Sequence, residues 1–249
     1  MQNKHQEEMM KKFAAAILGV LLVITLAGCA SRPTYADGVY FGAGEVDGYS
    51  GYRTLVTVKV SGGYIESVDW NELHYMGQDK KSLGDAYGMK MASAVGKEWY
   101  EQAKAIEDAL VKRGPDAIKT NEKGSVTSVS GASIGVSSIL GTFEKAMAAA
   151  PVAEGAYTDG IYFASGDEVD GYQDTLSVVI ANGSIVWAYW DKLATSPAEG
   201  EAATYRLQYA GEEFDTAAAA WGQSVLESQA VVGDETVDAL LTQILTQGK

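Results

Sequence analysis

A chain of 249 residues with 47% hydrophobic content has room for one large domain or two ordinary ones, and for a sizeable core. A formal net charge of −14 with no basic stripe argues against nucleic-acid binding, which is driven by lysine and arginine neutralising phosphates. One cysteine, Cys29, and two histidines, His5 and His74, exclude an internal disulfide, a CxxC redox pair and thiolate-zinc or histidine-rich metal sites.

The N-terminus reads as an address. Lys4, Lys11 and Lys12 precede an apolar run over residues 13–27, shorter than the roughly 20 residues of a spanning helix. The run ends in Leu26-Ala27-Gly28-Cys29. A basic start, a short apolar stretch and small residues before a cut describe a secretory signal over residues 1–28. The ending resembles the bacterial lipobox, which implies acylation of Cys29 and anchoring in a lipid bilayer, with the chain on the extracytoplasmic face of a cell or outer membrane. Loss of residues 1–28 takes three lysines and two glutamates and leaves a net charge of −15. Residues 29–36 then form a tether of at most roughly 27 Å.

The remainder is written twice. Tyr35-Ala-Asp37-Gly38-Val-Tyr40-Phe41 recurs as Tyr157-Thr-Asp159-Gly160-Ile-Tyr162-Phe163. Glu45-Val-Asp47-Gly48-Tyr49 recurs as Glu168-Val-Asp170-Gly171-Tyr172, and Thr54-Leu55 as Thr175-Leu176. Residues 60–73 map without gaps onto 180–193, keeping Trp70/Trp190 and Leu73/Leu193. This is a tandem duplication, 37–149 and 158–249, joined by a linker over 150–157. Each copy predicts strands (54–60 and 64–70; 175–180 and 184–190) around a glycine-bearing turn. A helix follows, with Trp99, Ala103, Ile106 and Leu110 on one face, matched by Phe214, Ala218, Trp221 and Val225. A last helix closes each copy, at about 135–149 and 236–246. The fold class is α+β, a duplicated small domain of antiparallel sheet plus helices.

The copies differ before their last helices. The first has Val126-Thr127-Ser128-Val129-Ser130-Gly131-Ala132-Ser133-Ile134, the second Val231-Val232-Gly233-Asp234-Glu235. The hydroxyl-rich loop can cap the following helix, or its backbone N–H groups can take a phosphate. The acidic second loop is expected to be structural.

Ser130-Gly131-Ala132-Ser133, after a hairpin domain and a helix, resembles the flavinylation motif of the FMN-binding domain family. That family includes flavin subunits of sodium-pumping NADH:quinone reductase and Rnf complexes, and surface lipoproteins of extracellular electron transfer. The resemblance implies a phosphoester between FMN and Ser133, with Ser130, Gly131 and Ala132 in register. The first copy is most similar to the lipoprotein branch: Gly51-Tyr52-Arg53 stands where that branch has Gly-Trp-Lys, and Lys81, Tyr87 and Met91 keep its spacing. The resemblance implies Tyr87, Met91 and Tyr52 as contacts of the flavin ring, a flavin transferase as partner and a membrane electron donor. The motif's leading Asp is Thr127 here, and the attachment residue is Ser rather than the commoner Thr. Covalent attachment, non-covalent binding and loss of the flavin all remain open at this point.

Two functions are carried forward. One is a lipid-anchored flavin electron carrier rather than a substrate-converting enzyme, in which the cofactor supplies the chemistry. The other is a non-redox surface lipoprotein or binding module with a vestigial motif, whose acidic repeats at 45–49 and 167–172 could take a cation such as calcium. A hydrolase ranks behind both: His74 is the only histidine after the signal, and no Gly-x-Ser-x-Gly elbow, GxGxxG or P-loop pattern occurs.

Overall fold

The computed structural model of the protein describes residues 34–196, 204–208 and 211–248. The expected signal at residues 1–28, the expected acylation site Cys29 and the part of the expected tether before Thr34 lie outside the described residues. Among the described residues no helix is long and apolar enough to cross a membrane.

Two similar α+β units follow one another. In the first, β1 (Gly38–Val46), β2 (Tyr52–Ser61) and β3 (Tyr64–His74) form an antiparallel sheet in sequence order, followed by α1 (Trp99–Arg113) and α2 (Ser137–Ala148). The second repeats this with β4 (Gly160–Val169), β5 (Tyr172–Ala181), β6 (Ser184–Ala194), α3 (Glu213–Ser228) and α4 (Glu235–Gln247). The predicted strands lie within longer ones, and those at 64–70 and 184–190 begin where β3 and β6 begin. The helix expected over 135–149 begins at Ser137, because Val136 is not helical (φ −128°), and α4 extends the expected 236–246 by one residue at each end.

Alternation dictates what each strand buries. Val56, Val58 and Val60 of β2, with Val68 and Trp70 of β3, face the helices and meet Trp99, Ala103, Ile106 and Leu110 of α1. Those four residues recur at the helical period, so α1 lies along β3 while α2 crosses β1 and β2. The start of α1 is fixed by a capping box: the Glu98 carboxylate takes a first-turn N–H, and Glu101 accepts from the Glu98 N–H at 2.9 Å. The second unit uses the same face pairing, with Leu176, Val178 and Ile180 against Ala218, Trp221, Val225 and the α4 residues Leu241 and Ile244.

The opposite sheet faces pack on each other. Leu55 and Leu73 meet Val179, with Phe41, Ala43, Ile161, Val186 and Trp187 around them. This accounts for β5 being buried on both faces from Thr175 to Ala181. Arg53 reaches across from β2, its guanidinium 4.8 Å from the Trp187 ring and 4.6 Å from the Tyr189 ring. Arg206 stands 4.4 Å from the same Tyr189 ring, and burial pushes the Tyr189 hydroxyl up to about 12. Gly77 completes the contact: a β-carbon there would lie 2.2 Å from the Phe163 ring. The linker is pinned to both units, Val152 N–H donating to Val39 O (2.7 Å) and the Asn182 amide to Val152 O (2.9 Å).

Register corrects the repeat alignment in two places. Thr54 stands opposite Glu72, and Asp174 opposite Lys192, so the counterpart of Thr54 is Asp174 rather than Thr175. Tyr52 stands opposite His74 and Tyr172 opposite Ala194, so Tyr172 is the counterpart of Tyr52 rather than Tyr49. The cause is the hairpin connection. It takes five residues, 47–51, in the first unit and two, Asp170 and Gly171, in the second. Both of those have positive φ (52° and 82°), as suits a two-residue hairpin turn.

Candidate functional site

A cavity of about 990 Å³ opens in the first unit. Its walls come from five places. The long β1–β2 connection supplies Asp47 and Ser50, and the adjoining sheet supplies Glu45, Tyr52, Thr54, Trp70 and Glu72. The segment between β3 and α1 supplies Lys80, Met89 and residues 92–94, and α1 supplies Trp99 and Gln102. The loop before α2 closes it with Ser125, Ser133 and Ile134, joined by Ser138 of the first turn of α2. The volume lies within the range of small-molecule sites, and the mixture of aromatic walls with a few polar groups is typical of them.

Ser133 is held in the wall from both sides. Its backbone N–H donates to Gln102 Oε1 at 2.9 Å, and its hydroxyl donates to the same oxygen at 3.3 Å. Gln102 is fully buried, and its amide donates to Ser93 Oγ and to Lys97 O, both at 3.0 Å. The loop is anchored behind by Val129, Ala132 and Val136 in the core, and by Val126 N–H donating to Ile134 O at 2.9 Å. The open face of Gly131 lies against the Lys97 ammonium, 3.0 Å from where a β-carbon would sit.

The other motif residues lie outside the cavity lining. Ala132 is buried in the core and Ser130 is exposed. Thr127 is exposed and its hydroxyl donates to Lys119 O at 3.2 Å, while Ser128 bridges Ala117 O and Lys119 N–H. No side chain caps α2, so the expected use of the hydroxyls as an N-cap is not what the loop does. Tyr87 packs half-buried on the core beside Lys80, and Met91 is 95% exposed, so Met89 rather than Met91 faces the cavity. Tyr52 does line it.

Of the charged groups of the cavity, Glu45 and Asp47 belong to the acidic repeat, but Lys80 and Glu72 do not stand out in the sequence. Lys80 Nζ sits 4.6 Å from the Tyr52 ring, 4.7 Å from Tyr87 and 5.0 Å from Trp99. Glu72 is 8% exposed, and Oε1 accepts from Thr54 Oγ1 (2.9 Å) and from Trp70 Nε1 (3.0 Å). Burial holds its carboxyl above the usual range. Lys81, the lysine that matches the family spacing, is spent elsewhere. It pairs with Asp69 and, at 2.5 Å, with the buried Glu107, whose Oε1 also accepts the Trp70 backbone N–H (2.8 Å). The signal for Lys80 is present in the repeat itself, but only strand register exposes it.

That signal is what the second unit does at each of these places. Leu73 bridges to Asp79 and Leu193 to Thr204, so Lys80 corresponds to Tyr205 and Lys81 to Arg206. The match extends to the backbone: Asn71 Oδ1 accepts from Lys81 N–H, and Asp191 Oδ1 from Arg206 N–H. Tyr205 packs edge-on against Tyr172 and Phe214, the counterparts of Tyr52 and Trp99. Glu72 becomes Lys192, and Trp190 Nε1 instead donates across the strands to Asp174 at 2.7 Å.

The acidic repeats do not converge. Asp47 accepts the Ser50 and Tyr49 N–H groups, which hold its carboxyl below the ordinary range. Among the described residues no group of three or more His, Cys, Asp or Glu side chains is placed to hold a metal ion.

No protein-family model matches the chain, and no curated protein does. A protein of Clostridium thermocellum whose structure was solved in solution by NMR is similar at 35% identity, over 45% of this chain and 89% of that one, with a TM-score of 0.35.

Proposed function

We propose that the first unit binds FMN in this cavity, that Ser133 is its attachment residue, and that the protein is a lipid-anchored electron carrier on the extracytoplasmic face of a bacterial membrane. The observation that supports this most is Ser133 itself. Of the residues that carry the family resemblance, it and Tyr52 line the large cavity, and its hydroxyl is held at 3.3 Å from a fully buried glutamine. The donor set suits the cofactor. Lys97 places a cation against the Ser133 loop, where a phosphate needs one. The half-buried Tyr52 offers flat apolar surface for a fused ring, with the buried Trp70 and Trp99 behind the cavity wall.

When bound, FMN supplies reversible electron chemistry. The chain's own residues do the rest. Gln102 orients the Ser133 hydroxyl, Lys97 balances phosphate charge, and the segment between β3 and α1 limits access of water. Acylation at Cys29 holds the unit near the bilayer, within reach of a membrane electron donor.

Intact mass and visible absorbance of the chain made alongside a flavin transferase provide the test. A mass gain of one bound FMN moiety with a yellow colour, both absent from Ser133→Ala, is the expected result. Colourless protein at the apo mass, while a positive control is flavinylated, rules out covalent attachment. Failure of added free FMN to lose its fluorescence on mixing then rules out binding altogether.

A further inference from the structure

The geometry points to Lys80 as the residue that reads the ligand's ring system, a contact distinct from those that hold its phosphate; this rests on the flavin reading above. Three observations converge on it. The ammonium is set among the rings of Tyr52, Tyr87 and Trp99 at 4.6–5.0 Å while its residue lines the cavity. No ion pair holds it among the described residues, whereas the next residue, Lys81, makes two. In the second unit the same place is taken by Tyr205, packed ring against ring, so the fold itself does not require a cation there.

Lys80 and Ser133 reach the cavity from different segments and through different residues of α1. Lys80 lies over Trp99, and Ser133 is bonded to Gln102. For a phosphate held at Ser133, Lys97 stands beside Gly131 on the same loop, outside the cavity lining. That leaves Lys80, with Trp99 and Tyr52, to face the ring, whose carbonyl oxygens accept an N–H from an ammonium. Such a site selects flat heteroaromatic ligands with an electron-rich edge, with or without a phosphate.

Fluorescence titration of the full chain, made without flavin transferase, separates the roles by comparing FMN with riboflavin, which lacks the phosphate. Lys80→Met is expected to weaken both by the same factor, about tenfold or more. Lys80→Arg is expected to keep most of the affinity, and Lys97→Met to weaken FMN alone. A loss in Lys80→Met confined to FMN overturns the assignment, because it makes Lys80 a phosphate contact. Unchanged affinity for both ligands overturns it as well. If Lys80→Met does not fold, Lys80→Gln carries the same comparison. Wild-type chain that binds neither ligand brings down the flavin reading itself, and this inference with it.

Discussion

The two units carry one fold and two interiors. In the first, Thr54, Glu72 and Lys80 leave polar groups around an open cavity; in the second, Asp174, Lys192 and Tyr205 stand at the same places. The hairpin connection is five residues long in the first and two in the second. Between the strap bridged to the third strand (residues 79–81 and 204–206) and the long helix the first unit has residues 82–98 where the second has only 207–212. What both units keep is the apolar periodicity of sheet and helix, the tryptophan of the third strand and the aromatic residue that opens the long helix. The fold therefore needs those residues, and the cavity needs the others. The second unit packs against the first. Its outer sheet face covers Leu55 and Leu73, and its Trp187 and Tyr189 receive Arg53.

The largest expected effects test whether the shared interface makes the units cooperate. Phe143→Ala in α2 and Leu241→Ala in α4 each remove a fully buried side chain and should cost about 3–5 kcal/mol. In urea unfolding followed by tryptophan fluorescence, both should shift one common transition. Two transitions, each moved by its own mutation, would mean that the units unfold independently.

A smaller difference separates the ion pairs of the equivalent straps. Glu107→Ala strips a 5%-exposed carboxylate from Lys81 and from the Trp70 N–H, and should cost about 3 kcal/mol. Asp215→Ala removes the 26%-exposed partner of Arg206 and should cost about 1 kcal/mol. Equal losses would break the distinction drawn between the two straps.

Arg53→Ala comes next. It removes the cation between the units and should cost about 1–2 kcal/mol, read as a lower urea midpoint with flavin affinity unchanged. A lost affinity would place Arg53 in the binding site instead.

The smallest effect is a pH dependence. Burial raises the Glu72 carboxyl above 4.5, so its stabilising contribution is fully present below pH 4.5 and is lost as pH rises through the raised value. Glu72→Gln carries no charge and escapes that loss. Its melting temperature relative to wild type should therefore rise between pH 4.5 and pH 7. A melting temperature of Glu72→Gln minus wild type that stays level or falls over that range contradicts the assignment.

Much of this is legible in the sequence, and the limits have physical causes. The strands and long helices announce themselves because alternation and the 3.6-residue period are properties of single segments. Packing of the two sheets against each other does not, because Leu55, Val179 and Trp187 read equally well as residues of isolated strands. At the site, Ser133 is visible through its motif. Lys80, Glu72 and Gln102 are not: each looks like an ordinary charged or polar residue until strand register brings it to the cavity. Pairing Thr54 with Thr175 hides the contrast with Asp174, and the match of Lys81 to the family spacing draws attention one residue too far.

The central claim is that one unit binds and the other does not, and stoichiometry tests it most directly. Isothermal titration of the full chain with FMN should give one site per chain, lost in a variant whose cavity is filled by Lys80→Tyr in imitation of the second unit. Two sites per chain, or one site that survives the filled cavity, would contradict the account.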